Sequence, residues 1–333
     1  MTTPSGPYAA LKIPDFRLFV GARFCVTLAI QIQAVVVAWQ VYEITKDPLS
    51  LGLIGLAEAI PSIGVSLYAG HVADSVQRKK IIIICVSTLV LCSLALLSFT
   101  MDPGSYFLTY GVTPIYTVIF LSGIARGFIT PALFSYMPQL VPRILYSNAV
   151  TWNSTLWETA KISGPALGGV IYGFWGLTAA YITDASLMAI GLVFALGGAS
   201  RPLPEKTEEQ GVVEKIRTGL RFVFRNPLIL GAISLDLFAV LFGGAVALLP
   251  IFADEILKVG QEGLGVLRSA PSVGALLMAF YITHHPIKKN TGRILLYCVA
   301  GFGVSMIFFA LSTNFWLSMF LLMLSGMFDC ISV

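Results

Sequence analysis

The chain has 333 residues, of which 56% are hydrophobic and only 11% are charged. Soluble globular proteins carry about 25% charged residues, so a chain of this composition needs lipid as the solvent for its apolar surface. The net charge of +4 is too small to indicate a nucleic-acid-binding protein, and we expect no nucleic-acid partner.

Apolar runs of helical length recur along the whole chain. A bilayer core of roughly 30 Å is crossed by about 20 apolar residues in a helix. Period-2 alternation is missing, which disfavours a membrane barrel. The sequence therefore predicts an all-α polytopic membrane protein with ten spans, at 18–40, 51–72, 80–100, 114–135, 150–174, 178–199, 226–250, 263–283, 293–312 and 315–333.

The distribution of basic residues predicts the orientation in the membrane. Most of the 21 Lys and Arg residues, Arg23 among them, fall on one side of the alternating spans. Only Lys46 and Lys258 fall on the other side. By the positive-inside rule the N-terminus is expected to be cytoplasmic, and the protein to lie in the bacterial inner membrane.

A polar stretch divides the chain into 1–199 with six spans, a linker over 200–225, and 226–333 with four spans. Within the linker, apolar residues at helical spacing in 211–225 face a row of charges, which predicts an amphipathic helix on the membrane surface. A solvated linker helix is the alternative interpretation. The tenth run reaches Val333 without a basic flank or tail, and we expect the sequence to be a fragment or a truncated product.

The loop after the second span combines a glycine, an acidic residue and a basic cluster. It reads Gly70-His71-Val72-Ala73-Asp74 and continues to Arg78-Lys79-Lys80. A glycine lets two helices approach closely, and an aspartate can pair with a basic residue at the interface. A simple loop of cytoplasmic positive charge is the alternative.

The fifth span carries a second motif, Ala160-Lys161-Ile162-Ser163-Gly164-Pro165-Ala166-Leu167-Gly168-Gly169. A proline in a spanning helix permits a bend, and small residues on one stripe allow tight helix packing. Gly173, one turn further on, extends this stripe. The alternative is ordinary packing of small residues with no role in transport.

Both motifs resemble those of the major facilitator superfamily: the loop resembles its signature loop, and the fifth span its antiporter motif. Pro14–Phe19 before the first span and Leu220–Pro227 before the seventh are similar to the drug:proton antiporter type 3 branch. That branch includes enterobactin exporters and macrolide efflux proteins. The resemblance implies the major facilitator fold, with a six-helix N-terminal bundle and a C-terminal bundle that is incomplete here, after about ten of twelve helices. It also implies that Asp74 interacts with helix eleven.

Ionisable residues inside spans are functional candidates because each costs free energy in the membrane. We predict that Arg126, Glu158 and Lys161 form one charge cluster, or else a structural ion pair. Asp236 and Arg268 are expected to pair in the second half. Glu58, next to Pro61, is a candidate protonation site or a helix–helix partner, and Asp184 is expected to be interfacial.

No P-loop, HExxH or GxSxG motif occurs, which favours a secondary transporter over an ATP-driven pump or a membrane enzyme. The predicted function is proton-coupled export of small amphipathic molecules, siderophore-like or drug-like, by alternating access. The proton gradient would be the energy source, with no cofactor and no metal. We expect a monomer in the lipid bilayer. A non-transporting scaffold or sensor is the second hypothesis and an embedded enzyme the third.

Overall fold

The computed structural model describes residues 6–101, 111–201, 221–242, 245–284 and 291–332. Regular structure in these ranges is helical, and the predicted all-α class is confirmed. The long helices are α1 Pro14–Thr45, α2 Pro48–Ser75, α3 Arg78–Ser98, α4 Thr113–Leu140, α5 Tyr146–Gly197, α6 Pro227–Phe242, α7 Gly260–His284, α8 Thr291–Leu311 and α9 Phe315–Ser332.

Seven of the described helices are long and apolar enough to cross a membrane: α1 to α5, α7 and α8. The apolar helix α9 is shorter. Helix α2 begins with Pro48 in its first turn and is capped by Asp47, whose carboxylate accepts from the backbone N–H groups of Leu49 and Ser50 at 3.1 and 3.2 Å. Such capping satisfies donors that have no partner inside the helix.

Helix α5 is a hairpin of two spans, as the separate runs 150–174 and 178–199 predict. It reverses at Gly176, whose φ of 82° and ψ of 177° are open essentially to glycine alone. Contacts with α1 show the reversal, because the first arm runs parallel to α1 and the second arm antiparallel. Along the first arm, residue 164 contacts residue 31 and residue 168 contacts residue 32, so both numbers rise together. Along the second arm, residue 184 contacts residue 33 and residue 191 contacts residue 26, so one number rises as the other falls.

The seventh span differs from the prediction of one run over 226–250. Helix α6 ends at Phe242, and the described chain continues as a 3₁₀ turn, Ala245–Leu248, and a π-type turn, Phe252–Ile256. Pro250, between those turns, has no backbone N–H to donate. The predicted amphipathic helix lies largely outside the described residues, of which 221–225 are helical.

Among the described residues, the two halves of the chain share an apolar core toward one end. We call the end where α1 begins the N-terminal face and the other end the opposite face. One buried cluster joins Trp39 of α1 and Tyr181 of α5 to Leu264 and Leu267 of α7. A second cluster contains first-half residues alone, from Ala9 to Met188. The halves are therefore packed together toward the opposite face.

Candidate functional site

Two cavities meet at one ion pair. The larger, about 500 Å³, is lined by first-half residues, whereas the smaller, about 250 Å³, is also lined by Val246, Ala247 and Arg268 of the second half. Glu58 of α2 and Arg126 of α4 line both. Along α1 the larger cavity spans 22–31 and the smaller 33–38, so the pair stands between two chambers stacked along the bundle.

The Glu58–Arg126 pair is placed by close packing of α2 against α4. A Cβ at Gly123 would lie 2.5 Å from the Glu58 carbonyl oxygen, and one at Gly127 would lie 2.8 Å from the Ser62 carbonyl oxygen. These glycines let the helices approach until the Arg126 guanidinium donates to the Glu58 carboxylate. Ion pairing accounts for two charges within spans, at a site that both cavities touch.

A buried amide links this pair to a second carboxyl group. Arg126 Nη2 donates to Gln33 Oε1 at 3.3 Å, and Gln33 Nε2 donates to Asp184 Oδ2 at 3.2 Å and Ser93 Oγ at 3.4 Å. Arginine is a donor only, so it dictates this orientation of the amide. The predicted interfacial position of Asp184 is wrong: the side chain is fully buried, because the second arm of α5 packs along α1.

The predicted cluster of Arg126, Glu158 and Lys161 is wrong as a single unit, because Arg126 pairs with Glu58 instead. Glu158 and Lys161 lie three residues apart on α5, with Nζ and Oε1 3.6 Å apart. Lys161 lines the larger cavity and lies 4.3 Å above the Trp157 ring. These four charges thus form two separate pairs, and Arg126 and Lys161 each bring one pair to the larger cavity.

Arg268 contacts α1. Its Nη1 donates to the Ala34 carbonyl oxygen at 3.0 Å, and the residue lines the smaller cavity. The side chain of its predicted partner, Asp236, lies outside the described residues. The described contact therefore joins α7 of the second half to α1 of the first.

Arg23 was counted with the loop charges in the topology prediction, but it lies inside α1 and lines the larger cavity. Its Nη1 donates to Asn153 Oδ1 at 2.9 Å. Its guanidinium carbon lies 5.6 Å from the Phe134 ring centre and 6.0 Å from that of Trp157. Arg23 is the sixth residue of the predicted span 18–40, and this position was the available sequence signal.

The loop motif contacts the C-terminal end of α5 at the N-terminal face of the first half. Lys79 Nζ donates to the Leu196 carbonyl oxygen at 2.8 Å and to that of Gly198, at the end of α5, where a cation is favourable. Arg78 begins α3, and Lys80 is exposed in its first turn. A close approach at Gly70 is not observed, since a Cβ there would meet no described atom within 4 Å. The Asp74 side chain lies outside the described residues.

The glycines of the fifth-span motif pack in two directions. A Cβ at Gly164 would lie 2.5 Å from Gln31 Cβ, and one at Gly168 would lie 3.1 Å from Ile32 Cα, both on α1. Gly169 faces α7, where its Cβ would lie 2.8 Å from Gly265 Cα. Ala160 and Pro165 are buried in the same arm. The motif packs this arm against both halves.

Polar contacts also join the halves at the opposite face. Tyr42, near the end of α1, donates to the Glu255 carboxylate, and Lys46 Nζ lies 2.9 Å from Asp254 Oδ2. A Cβ at Gly173 would lie 2.5 Å from Glu262 Cγ. With the shared apolar core, these contacts close the opposite face.

This helical bundle, with two cavities that meet at an ion pair and contacts that close one face, is a membrane transporter with the major facilitator fold. A bacterial homolog of the human lysosomal transporter Spinster, solved in an inward-facing and unoccupied conformation, superposes with a TM-score of 0.67 at 16% identity. That match covers 96% of this chain and 74% of the other.

The family model described as transmembrane secretion effector matches residues 5–331, and the chain belongs to that family. The staphyloferrin A transporter of Staphylococcus aureus is 22% identical over 86% of this chain and 70% of its own length. The enterobactin exporter EntS of Shigella dysenteriae is 24% identical over 96% and 75%. The chain is a multi-pass bacterial membrane transporter.

Proposed function

We propose that the protein exports small amphipathic molecules of siderophore-like chemistry from the cytoplasm, coupled to proton entry. The observation that carries this proposal is the pair of chambers that meet at Glu58 and Arg126. A site at the centre of a bundle that is closed at one face suits alternating access. The substrate crosses the membrane without being chemically changed.

The topology in this proposal follows from the charge distribution. Basic loop residues cluster on the side of the N-terminus, and we infer that this side is cytoplasmic. The closed opposite face would then be the outer side, and the larger cavity would receive substrate from the cytoplasm. We further propose that the protein acts as a monomer in the inner membrane, without a cofactor.

Siderophore-like chemistry is supported by the two relatives, whose names state staphyloferrin A and enterobactin as their substrates. The larger cavity fits a small organic molecule, since ligand sites commonly measure about 300–1,000 Å³ and combine apolar walls with a few polar groups. Its lining offers aromatic rings at Phe134 and Trp157 and hydrogen-bonding groups at Gln31 and Asn153.

Proton coupling is supported by two carboxyl groups that share one polar network, Glu58 beside the cavities and Asp184 behind Gln33. A carboxyl group inside a membrane span is costly as an isolated charge and is suited to taking up and releasing a proton. Glu58 lines both cavities, and Arg126 and Gln33 connect it through hydrogen bonds to the buried Asp184.

Everted membrane vesicles that contain the protein test the proposal directly. On energisation they should accumulate labelled enterobactin or staphyloferrin A, and a protonophore should abolish the accumulation. Vesicles carrying the Arg126→Gln variant at equal protein level serve as the matched control and should not accumulate either compound. Accumulation that persists without a proton gradient would contradict the coupling, and no accumulation of any siderophore would contradict the export function.

A further inference from the structure

Three side chains at one end of the larger cavity form a group that we call the Arg23 corner: Arg23 of α1, Phe134 of α4 and Trp157 of α5. The guanidinium lies within about 6 Å of both ring centres, the range of a cation–π interaction. Asn153 holds it from the side through the hydrogen bond at 2.9 Å. The cation is thus fixed in place.

Among the described residues that line this cavity, Arg23 is the cation without an acidic partner. Arg126 is paired with Glu58, and Lys161 lies 3.6 Å from Glu158. Among the described residues, no carboxylate oxygen lies within 4.0 Å of the Arg23 guanidinium. The larger cavity therefore has an excess of positive charge at this corner, and an anion there would find a compensating partner.

The aromatic rings of the corner leave apolar area open toward the cavity. Phe134 is 61% exposed and Trp157 is 36% exposed, and both line the larger cavity. Flat apolar groups gain by covering such rings, both through burial and through offset stacking. A ligand that satisfies the corner combines a planar apolar part with an adjacent negative charge.

We propose that the Arg23 corner is a subsite for an anionic aromatic group, a ring that bears a carboxylate or a phenolate. The charged oxygen pairs with Arg23 and the ring stacks against Phe134 and Trp157. This assignment rests on the proposed function, because it names the charge and shape that the exported molecule presents to the larger cavity. Neutral and cationic compounds of the same size are discriminated against at this point.

The subsite is tested by binding, without transport. Purified protein in lipid nanodiscs is titrated by calorimetry with 2-naphthoate, 2-naphthamide and 2-(aminomethyl)naphthalene, which share one ring system and differ in charge. We expect the acid to bind about tenfold more tightly than the amide, and the amine to bind most weakly. The preference should decrease with added salt, because it is electrostatic.

Variants separate charge from ring contact. Arg23→Gln should remove the preference for the acid, whereas Arg23→Lys should keep most of it. Trp157→Leu should weaken acid and amide alike. Arg143→Gln, the matched substitution at an exposed arginine outside the cavity, should change nothing. Equal affinity for acid and amide in the unaltered protein, or an Arg23→Gln variant that retains the preference, would overturn the proposal while export in vesicles could still stand.

Discussion

Gln33 stands between two charged side chains that do not touch each other. Its amide oxygen accepts from Arg126, and its amide nitrogen donates to Asp184. The second oxygen of Asp184 has no hydrogen-bond partner among the described residues. A buried polar atom without a partner is costly, and a change in the charge of Asp184 would be felt by Arg126 through the amide.

Asp184→Asn should therefore uncouple transport without unfolding the protein, because the amide keeps the size of the side chain and accepts the same hydrogen bond. We expect counterflow of labelled enterobactin into vesicles preloaded with the unlabelled compound to continue. The stimulation of transport by an imposed pH gradient should be lost. Asp47→Asn, at the exposed N-cap of α2, is the matched control and should keep the stimulation. A stimulated Asp184→Asn variant would exclude this carboxyl group from coupling.

Glu58 and Arg126 should show a small but measurable coupling in a double-mutant cycle. Glu58→Gln leaves the guanidinium without its carboxylate, but Glu58 is partly exposed to the cavities, so we expect a loss of about 1 kcal/mol or less. The Arg126→Gln variant should lose a similar amount, and the double variant less than their sum. Thermal unfolding in one detergent provides the measurement, and additive losses would show that the pair contributes nothing.

At the scale of the element, the glycines of α5 decide how close the neighbouring helices come. Gly164 and Gly168 fit against α1, whereas Gly169 fits against Gly265 of α7. The last contact joins the two halves of the chain. A side chain at 169 would thus act on the interface between the halves and leave the contact with α1 intact.

Gly169→Ala should loosen the opposite face. The new Cβ would lie 2.5 Å from the Gln261 carbonyl oxygen, and such overpacking costs about 1–3 kcal/mol. We expect faster labelling of a cysteine at position 253, where Ala253 is buried in the shared apolar core, by a membrane-impermeant maleimide. Gly303→Ala in α8, where the Cβ meets no described atom within 4 Å, is the control and should leave labelling unchanged. Equal labelling rates in both variants would refute this role.

Elements were predictable from hydropathy, since apolar length decides whether a helix crosses a bilayer. The hairpin of α5 followed from two runs separated by Gly176, and the packing role of Gly164 followed from its stripe. The partners of the charged residues were not predictable from the sequence. Glu58 and Arg126 lie on different helices and meet only because α2 packs against α4. Asp184 was assigned by its depth along a span, a measure that does not report which neighbour covers it.

At the scale of the whole molecule, the described contacts between the two halves gather toward one end, and the larger cavity lies toward the other. The shared apolar core and the Tyr42–Glu255 and Lys46–Asp254 contacts all lie toward the opposite face. An exporter that alternates would have to break these contacts in each cycle. The exposed Lys46–Asp254 pair contributes little stability by itself, which suits a contact that opens repeatedly.

A crosslink across that face should arrest transport. In a background without native cysteines, the Lys46→Cys/Asp254→Cys variant should lose export when a short bifunctional maleimide joins the two cysteines. When the crosslinker contains a disulfide, reduction of that disulfide should restore export. Asp15→Cys/Arg201→Cys replaces an ion pair of 2.9 Å at the N-terminal face with the same chemistry and should export normally. Unimpaired export by the crosslinked first pair would show that this face does not open.

The hairpin at Gly176 has a further consequence for how the chain is assembled. Both arms of α5 clasp α1, whose spanning segment is 72% buried, against 11% for α2. The contact between Gln33 and Asp184 bridges 151 positions. Helix α1 is thus synthesised well before the arm of α5 that covers it. Until the second arm has been synthesised, Gln33 lacks its hydrogen bond to Asp184, whether α1 is in the bilayer or still in the insertion machinery.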